Sequence, residues 1–178
     1  SVRLLLCDNL VDARRLATEI DSYNQDRKQK DTEATETAKK RVEASPYFKE
    51  RHSIVLFDET WHKGVVGIVA SRLVEAYYKP TIVFTRSTDD IIVGSARSFK
   101  DFDIHSALER CADLLEHFGG HRCAAGVTIR AEKLEAFIER FEQVVIETMP
   151  EESATPYIEI DAEVNFSEQL TPKFMRIL

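Results

Sequence analysis

From Ser53 to Thr85 the chain reads strand, helix, strand, and this alternation constrains its fold more than any other stretch. Ser53-Ile54-Val55-Leu56-Phe57 is a short continuous apolar run, as expected of a buried strand. Gly64 to Tyr78 is helical by spacing: Val65, Val66, Val69, Leu73 and Tyr77 form a broad apolar face, and Ser71, Arg72, Glu75 and Lys79 a thin polar stripe. After Pro80, Thr81 to Thr85 is a second apolar run. Two strands joined through a helix lie parallel, with a right-handed crossover.

The pattern continues. Ile91 to Ala96 reads as a third strand, and the polar link Ser87-Thr88-Asp89-Asp90 predicts a hairpin. Ile104, Ala107, Leu108, Cys111, Leu115 and Phe118 give a helical stripe that Asp101 or Asp103 can cap and Gly119-Gly120 ends. Ala125 to Arg130 is a fourth strand, and Leu134, Phe137, Phe141 and Val144 line a last helix. The expected fold is α/β, a mixed β-sheet flanked by helices.

Both flanks differ from this core. Asp8 or Asn9 can cap a helix on which Leu10, Ala13, Leu16, Ala17 and Ile20 recur at helical spacing. After Tyr23 the chain is polar on every side. A bridging helix packed at its amphipathic end fits this, with Pro46 as its latest end; so does a polar linker from Asp26 onward. At the other flank, Met149 to Ser153 is linker-like, Tyr157 to Val164 alternates as a half-exposed strand, and Leu170 to Leu178 begins a helix. The chain, starting at Ser1 and ending inside an apolar pattern, reads as a piece of a longer protein with a further domain beginning near residue 150.

With 43% hydrophobic and 31% charged residues, the chain has material for a core and is not a mainly disordered sequence. No apolar run reaches the ~18 residues of a membrane span, and no signal peptide is visible. Cys7, Cys111 and Cys123 are widely spaced, which argues against a disulfide framework or a zinc site and for a reducing cytoplasm. The net charge of -7 is unevenly placed: -1 over residues 1–60, +1 over 61–130 and -7 over 131–178. The middle is therefore free to present a local basic pocket.

Three stretches can carry chemistry. Phe118-Gly119-Gly120-His121-Arg122-Cys123-Ala124-Ala125-Gly126 offers backbone that a ligand can approach closely, an anion nest with His121 as an added donor; a helix stop followed by a tightly packed strand reads equally well. Thr60-Trp61-His62-Lys63-Gly64 precedes a helix whose first amides attract anions. There Lys63 can meet a phosphate, and Trp61 either stacks on a base or anchors the helix. Gly94-Ser95-Ala96-Arg97-Ser98 ends a strand with two hydroxyls and a guanidinium able to surround a phosphate, or with an incidental arginine. No metal-binding histidine motif, D-H-H run, P-loop or nucleophile elbow is present. The residues describe an anion binder without a reaction centre of its own.

Taken together, Trp61 to Arg72, Gly94 to Ser98, and Phe118 to His121 with Ala124-Ala125-Gly126 resemble the RecJ family of single-stranded-DNA-specific exonucleases, members of the DHH phosphoesterase superfamily. The polar helix with Tyr23-Asn24-Gln25-Asp26-Arg27 is similar to the connector after the catalytic domain of that family. Residues 1–47 would then be connector, 48–149 the DHH-associated substrate-binding domain, and 150–178 the start of an oligonucleotide-binding (OB-fold) domain. The resemblance implies 5′→3′ digestion of single-stranded DNA with Mn or Mg held by a DHH domain outside this chain, and no cofactor, metal ligand or catalytic residue within it. It implies that Ser95 and Arg97 hold a phosphate and that His62, Gly119, Gly120 and His121 line the substrate cleft; with Lys63 and Ser98 from the residue reading, these are the expected nucleic-acid contacts. The expected partners are single-stranded DNA and the DHH domain, without a membrane, and the expected state is a monomer. Thr60 departs from the family, which usually has glycine there. A related phosphoesterase acting on oligoribonucleotides or cyclic dinucleotides, or a non-enzymatic nucleic-acid-binding module, is the alternative.

Overall fold

The computed structural model describes residues 2–150, 160, 163 and 171–177. In chain order its main elements are α1 (Val2–Leu5), α2 (Leu10–Ala44), α3 (Pro46–Glu50), β1 (Ile54–Phe57), α4 (Val66–Tyr77), β2 (Thr81–Arg86), β3 (Ile91–Arg97), α5 (Ile104–Glu109), β4 (His117–His121), β5 (Ala124–Arg130) and α6 (Leu134–Thr148). A last helical turn covers Phe174–Ile177. Among the described residues no helix is long and apolar enough to cross a membrane.

The strands form one mixed sheet in the order β1-β2-β3-β5-β4. As the strand-helix-strand pattern requires, β1 and β2 are parallel, and β2 and β3 form the expected antiparallel hairpin. Alternation along the strands divides the core in two. Val55, Ile82, Phe84, Ile92, Val127 and Ile129 pack toward α5 and α6, where Phe84 meets Phe137 edge-on at 5.9 Å. Ile54, Leu56 and Val83 face the other way, onto Val66, Val69, Ala70 and Leu73 of α4, with Ala34, Ala38 and Val42 of α2 beyond them.

Two expectations need correction. The helix predicted from Ile104 through Phe118 ends at Glu109, followed by a 3-10 turn (Ala112–Leu114) and then β4, so the sheet has five strands and Gly119-Gly120 lies inside a strand. Leu115 and Phe118 keep a helical spacing to Cys111 because all three pack on the same core, Cys111 and Leu115 from the links flanking the 3-10 turn and Phe118 from β4. Pairing with β5 satisfies the β4 backbone on one side. The predicted cap holds: the Asp103 side chain accepts from the Ser106 amide at 3.0 Å.

The stretch read as a connector is one unbroken helix of 35 residues, capped by Asn9 and ended before Pro46, so the polar-linker reading fails. Its packed end is the opposite of the one expected. Leu10 and Val11 are exposed, whereas Asp31, Ala34, Thr35, Ala38 and Val42 are buried. Small side chains let α2 lie close to α4, and Asp31 is buried because Arg72 of α4 donates to it at 2.7 Å. The strand expected at Tyr157–Val164, and with it the start of an OB-fold, lies outside the described residues except at 160 and 163.

A second buried carboxylate, Glu142, fixes the entry to β1. It accepts from the amides of His52 (2.7 Å) and Ser53 (3.0 Å) and from the Ser53 hydroxyl, and so ties β1 to α6.

Candidate nucleic-acid interface

The loop between β1 and α4 is built around Asp58. Its carboxylate accepts from the Thr60 amide at 2.8 Å and from the Thr60 hydroxyl, and it pairs with Arg41 of α2, whose Nη1 donates to the Phe57 carbonyl at 3.2 Å. Burial pushes the Asp58 carboxyl upward, but the two bonds from Thr60 and the Arg41 guanidinium outweigh it and hold the group below its ordinary value. Thr60 thus closes the turn through its own hydroxyl. Trp61 is buried under the Arg41 guanidinium, which sits 5.4 Å from the ring centroid, and its carbonyl accepts from the Thr85 hydroxyl. It anchors the helix start and has no face free for a base. His62 and Lys63, next in sequence, are exposed: His62 Nδ1 accepts from the Gly64 amide at 3.0 Å and Lys63 Nζ donates to Ser87 Oγ at 2.9 Å.

Sheet register assembles the remaining candidates. Ser95 of β3 pairs with Gly126 of β5, which pairs with Gly119 of β4; one rung along, Arg97 pairs with Ala124 and Ala124 with His121. Residues paired across a sheet point to the same face, so Ser95, Arg97, Gly119 and His121 share one face. It is the face bearing Val83, covered by α4 over β2 and β3 but open over β5 and β4, where Gly119, His121 and Gly126 are exposed. The hairpin turn Arg122-Cys123 is fixed from two directions: the Ser98 amide donates to the Cys123 carbonyl (3.0 Å) and the Ile104 amide to the Arg122 carbonyl (2.9 Å).

Where α4 crosses β3 there is a cleft of about 460 Å³, lined among others by Lys63, Gly67, Ser71, Arg72, Ser95 and Arg97. Arg97 Nη1 donates to the Ala96 carbonyl at 2.8 Å, and among the described residues no carboxylate pairs with this guanidinium. Arg72, by contrast, is engaged by Asp31. A half-buried cation without a counter-ion, beside a hydroxyl and glycine backbone, is suited to a phosphate. Lys63 borders a second cleft of about 740 Å³, which His62 and Arg86 also line.

Ser95, Arg97 and Lys63 therefore share one cleft, Gly119 and His121 continue its sheet face, and His62 stands on the far side of Lys63. Ser98 is not in that cleft. Its amide holds the hairpin turn, and its hydroxyl is enclosed without a hydrogen-bond partner. The two glycines differ. Gly120 has φ +152°, and a Cβ there would meet the Ala124 carbonyl at 2.3 Å and Ala125 Cα at 2.5 Å, so the hairpin itself demands glycine. A Cβ on Gly119 would meet nothing within 4 Å. Sequence reasoning did not single out Ser71 and Arg72, which it read only as part of a thin polar stripe on the helix and which line the cleft. It also missed His117, exposed on the same face as Gly119 and His121, because that residue was assigned to a helix. Among the described residues no group of three or more His, Cys, Asp or Glu is placed to hold a metal ion.

The fold is thus a mixed sheet with a cleft under its crossover helix and a glycine-histidine edge strand. Residues 51–147 match the DHHA1 domain, and the chain belongs to that family. Its relatives include the single-stranded-DNA-specific exonuclease RecJ of Bacillus subtilis (strain 168), 38% identical over 162 residues, which are 90% of this chain and 20% of that protein. The RecJ of Haemophilus influenzae is 36% identical over 173 residues, 94% of this chain and 30% of that one. The crystal structure of RecJ in complex with Mg2+ from Thermus thermophilus superposes with a TM-score of 0.72 at 32% identity, over 82% of this chain and 22% of that one. A structure of exonuclease RecJ bound to manganese gives 0.70 at 32% identity, over 83% and 36%. The chain thus spans only a fifth to about a third of the proteins it matches.

Proposed function

We propose that this chain is the substrate-gripping part of a 5′→3′ single-stranded-DNA-specific exonuclease similar to RecJ. Residues 1–47 serve as its connector, 48–149 as its DHHA1 domain and 150–178 as the start of an OB-fold. The observation that carries the reading is Arg97: a guanidinium with no carboxylate partner among the described residues, in one cleft with Ser95 and Lys63 and on the same sheet rung as His121. Arg97 and Ser95 hold one phosphate, Lys63 and His62 meet the strand beside it, and the exposed backbone at Gly119-Gly120 lets the strand approach with His121 as a donor. Ser98 supports this arrangement through the hairpin turn.

The metal ions named for the RecJ structures belong, in this reading, to a DHH domain outside the chain, since no cluster among the described residues fits one. The chain binds but does not cut. The three free cysteines suit a reducing cytoplasm, and the chain acts as a monomer.

Titration of the purified chain against labelled single-stranded and duplex DNA, with a nuclease assay in Mn2+, tests the proposal. The expected result is salt-sensitive binding that prefers single strands, with a logarithmic slope of roughly -0.7 per phosphate contact, and no digestion. Equal affinity for duplex, or none for either, would favour a protein-interaction module; digestion that survives stringent purification would place a reaction centre in this chain.

A further inference from the structure

We infer that His117 is a further phosphate contact, and that a strand held at Arg97 and His121 continues along the open face of β4. This rests on the reading of Arg97 given above. His117 lies four residues before His121 on the same strand, so both imidazoles point to the face that carries Gly119 between them. At about 3.4 Å of rise per residue they stand about 13–14 Å apart. Stacked nucleic acid advances about 3.4 Å per nucleotide and an extended strand more, so no more than about four nucleotides separate them. His117 pairs across the sheet with Thr128, and between Thr128 and the arginine rung lies only Gly126, so no bulky side chain interrupts the path. Both imidazoles are exposed, and neither has a hydrogen-bond partner among the described residues. The nearest carboxylate in sequence, Glu116, is occupied by Arg130 at 3.0 Å. The occupant that fits is therefore an extended polyanion entering from the Arg97 cleft.

The test uses a labelled single strand of about ten nucleotides in which one phosphate at a time is replaced by a neutral methylphosphonate. Binding is measured for the unaltered chain, H117A, H117K and R97A. H117A should weaken binding about threefold to tenfold and leave the melting temperature unchanged, and H117K should restore much of the affinity. The loss in H117A should vanish when one particular phosphate is neutral, and that phosphate should lie a few nucleotides from the one that cancels the loss in R97A. If H117A loses nothing, or its loss adds to that of every neutral linkage while R97A still pairs with one, the track along β4 is wrong and the Arg97 site stands. If both variants pair with the same phosphate, the strand does not run along β4. If R97A loses nothing, the underlying reading of the site fails with it.

Discussion

The Cβ that Gly67 lacks would lie 2.9 Å from Arg97 Nη2 and 3.2 Å from Ser95 Oγ. The first turn of α4 thus rests directly on Arg97 and Ser95, and the absence of a side chain at residue 67 lets the guanidinium occupy the cleft.

Gly67→Ala should therefore separate stability from binding. Alanine favours the helix over glycine by up to about 1 kcal/mol, and the crowded atoms are the movable ends of Arg97 and Ser95. The melting temperature should stay level or rise while single-strand affinity falls; affinity that is unchanged would detach Arg97 from the site.

The two adjacent glycines of β4 should behave oppositely. Gly120→Ala forces a side chain into the Ala124 carbonyl and should destabilise the domain by about 1–3 kcal/mol, visible in chemical denaturation. Gly119→Ala meets empty space, so folding should be nearly unaffected and only DNA affinity should drop. Full affinity in folded Gly119→Ala would mean that no strand approaches this backbone.

Trp61, the chain's single tryptophan, should be a poor reporter of DNA binding because it is buried under Arg41. Its fluorescence should change little when single strands bind, and Trp61→Phe should lower stability more than affinity. Strong quenching by bound bases would instead put the indole in the cleft.

Asp58 predicts part of the acid sensitivity. Its folded value lies below the ordinary 3.8 of aspartate, so its contribution is fully present above that pH and is lost as pH falls through the depressed value. Denaturation curves of the unaltered chain and Asp58→Asn should differ at neutral pH and converge in strong acid. A constant difference down to low pH would remove Asp58 from the acid response.

Much of this was legible in the sequence where one element meets one core. The β1-α4-β2 unit, the β2–β3 hairpin and the Asp103 cap follow from local spacing and capping chemistry. Residues 104–118 misled because Cys111, Leu115 and Phe118 reach one core from two connecting segments and a strand, and only the pairing of β4 with β5 reveals the strand. The packed end of α2 was hidden for a related reason: Ala34, Ala38 and Val42 look inconspicuous beside Leu10 and Leu16, yet Asp31 becomes buried through Arg72 on a distant helix. The site followed the same division. Arg97 and His121 were legible as motif residues, but their common face, and the place of His117 on it, come from register alone.

The most direct measurement is the affinity of the unaltered chain, Arg97→Lys and Arg97→Ala for 5′-phosphorylated and 5′-hydroxyl single strands, with melting temperature as the folding control. Arg97→Ala should cost roughly 1.5–3 kcal/mol without loss of stability. Arg97→Lys should also bind less well, since it keeps the charge but not the planar fork, and both losses should be larger on the phosphorylated strand. Undiminished binding by Arg97→Ala to both strands would contradict the account.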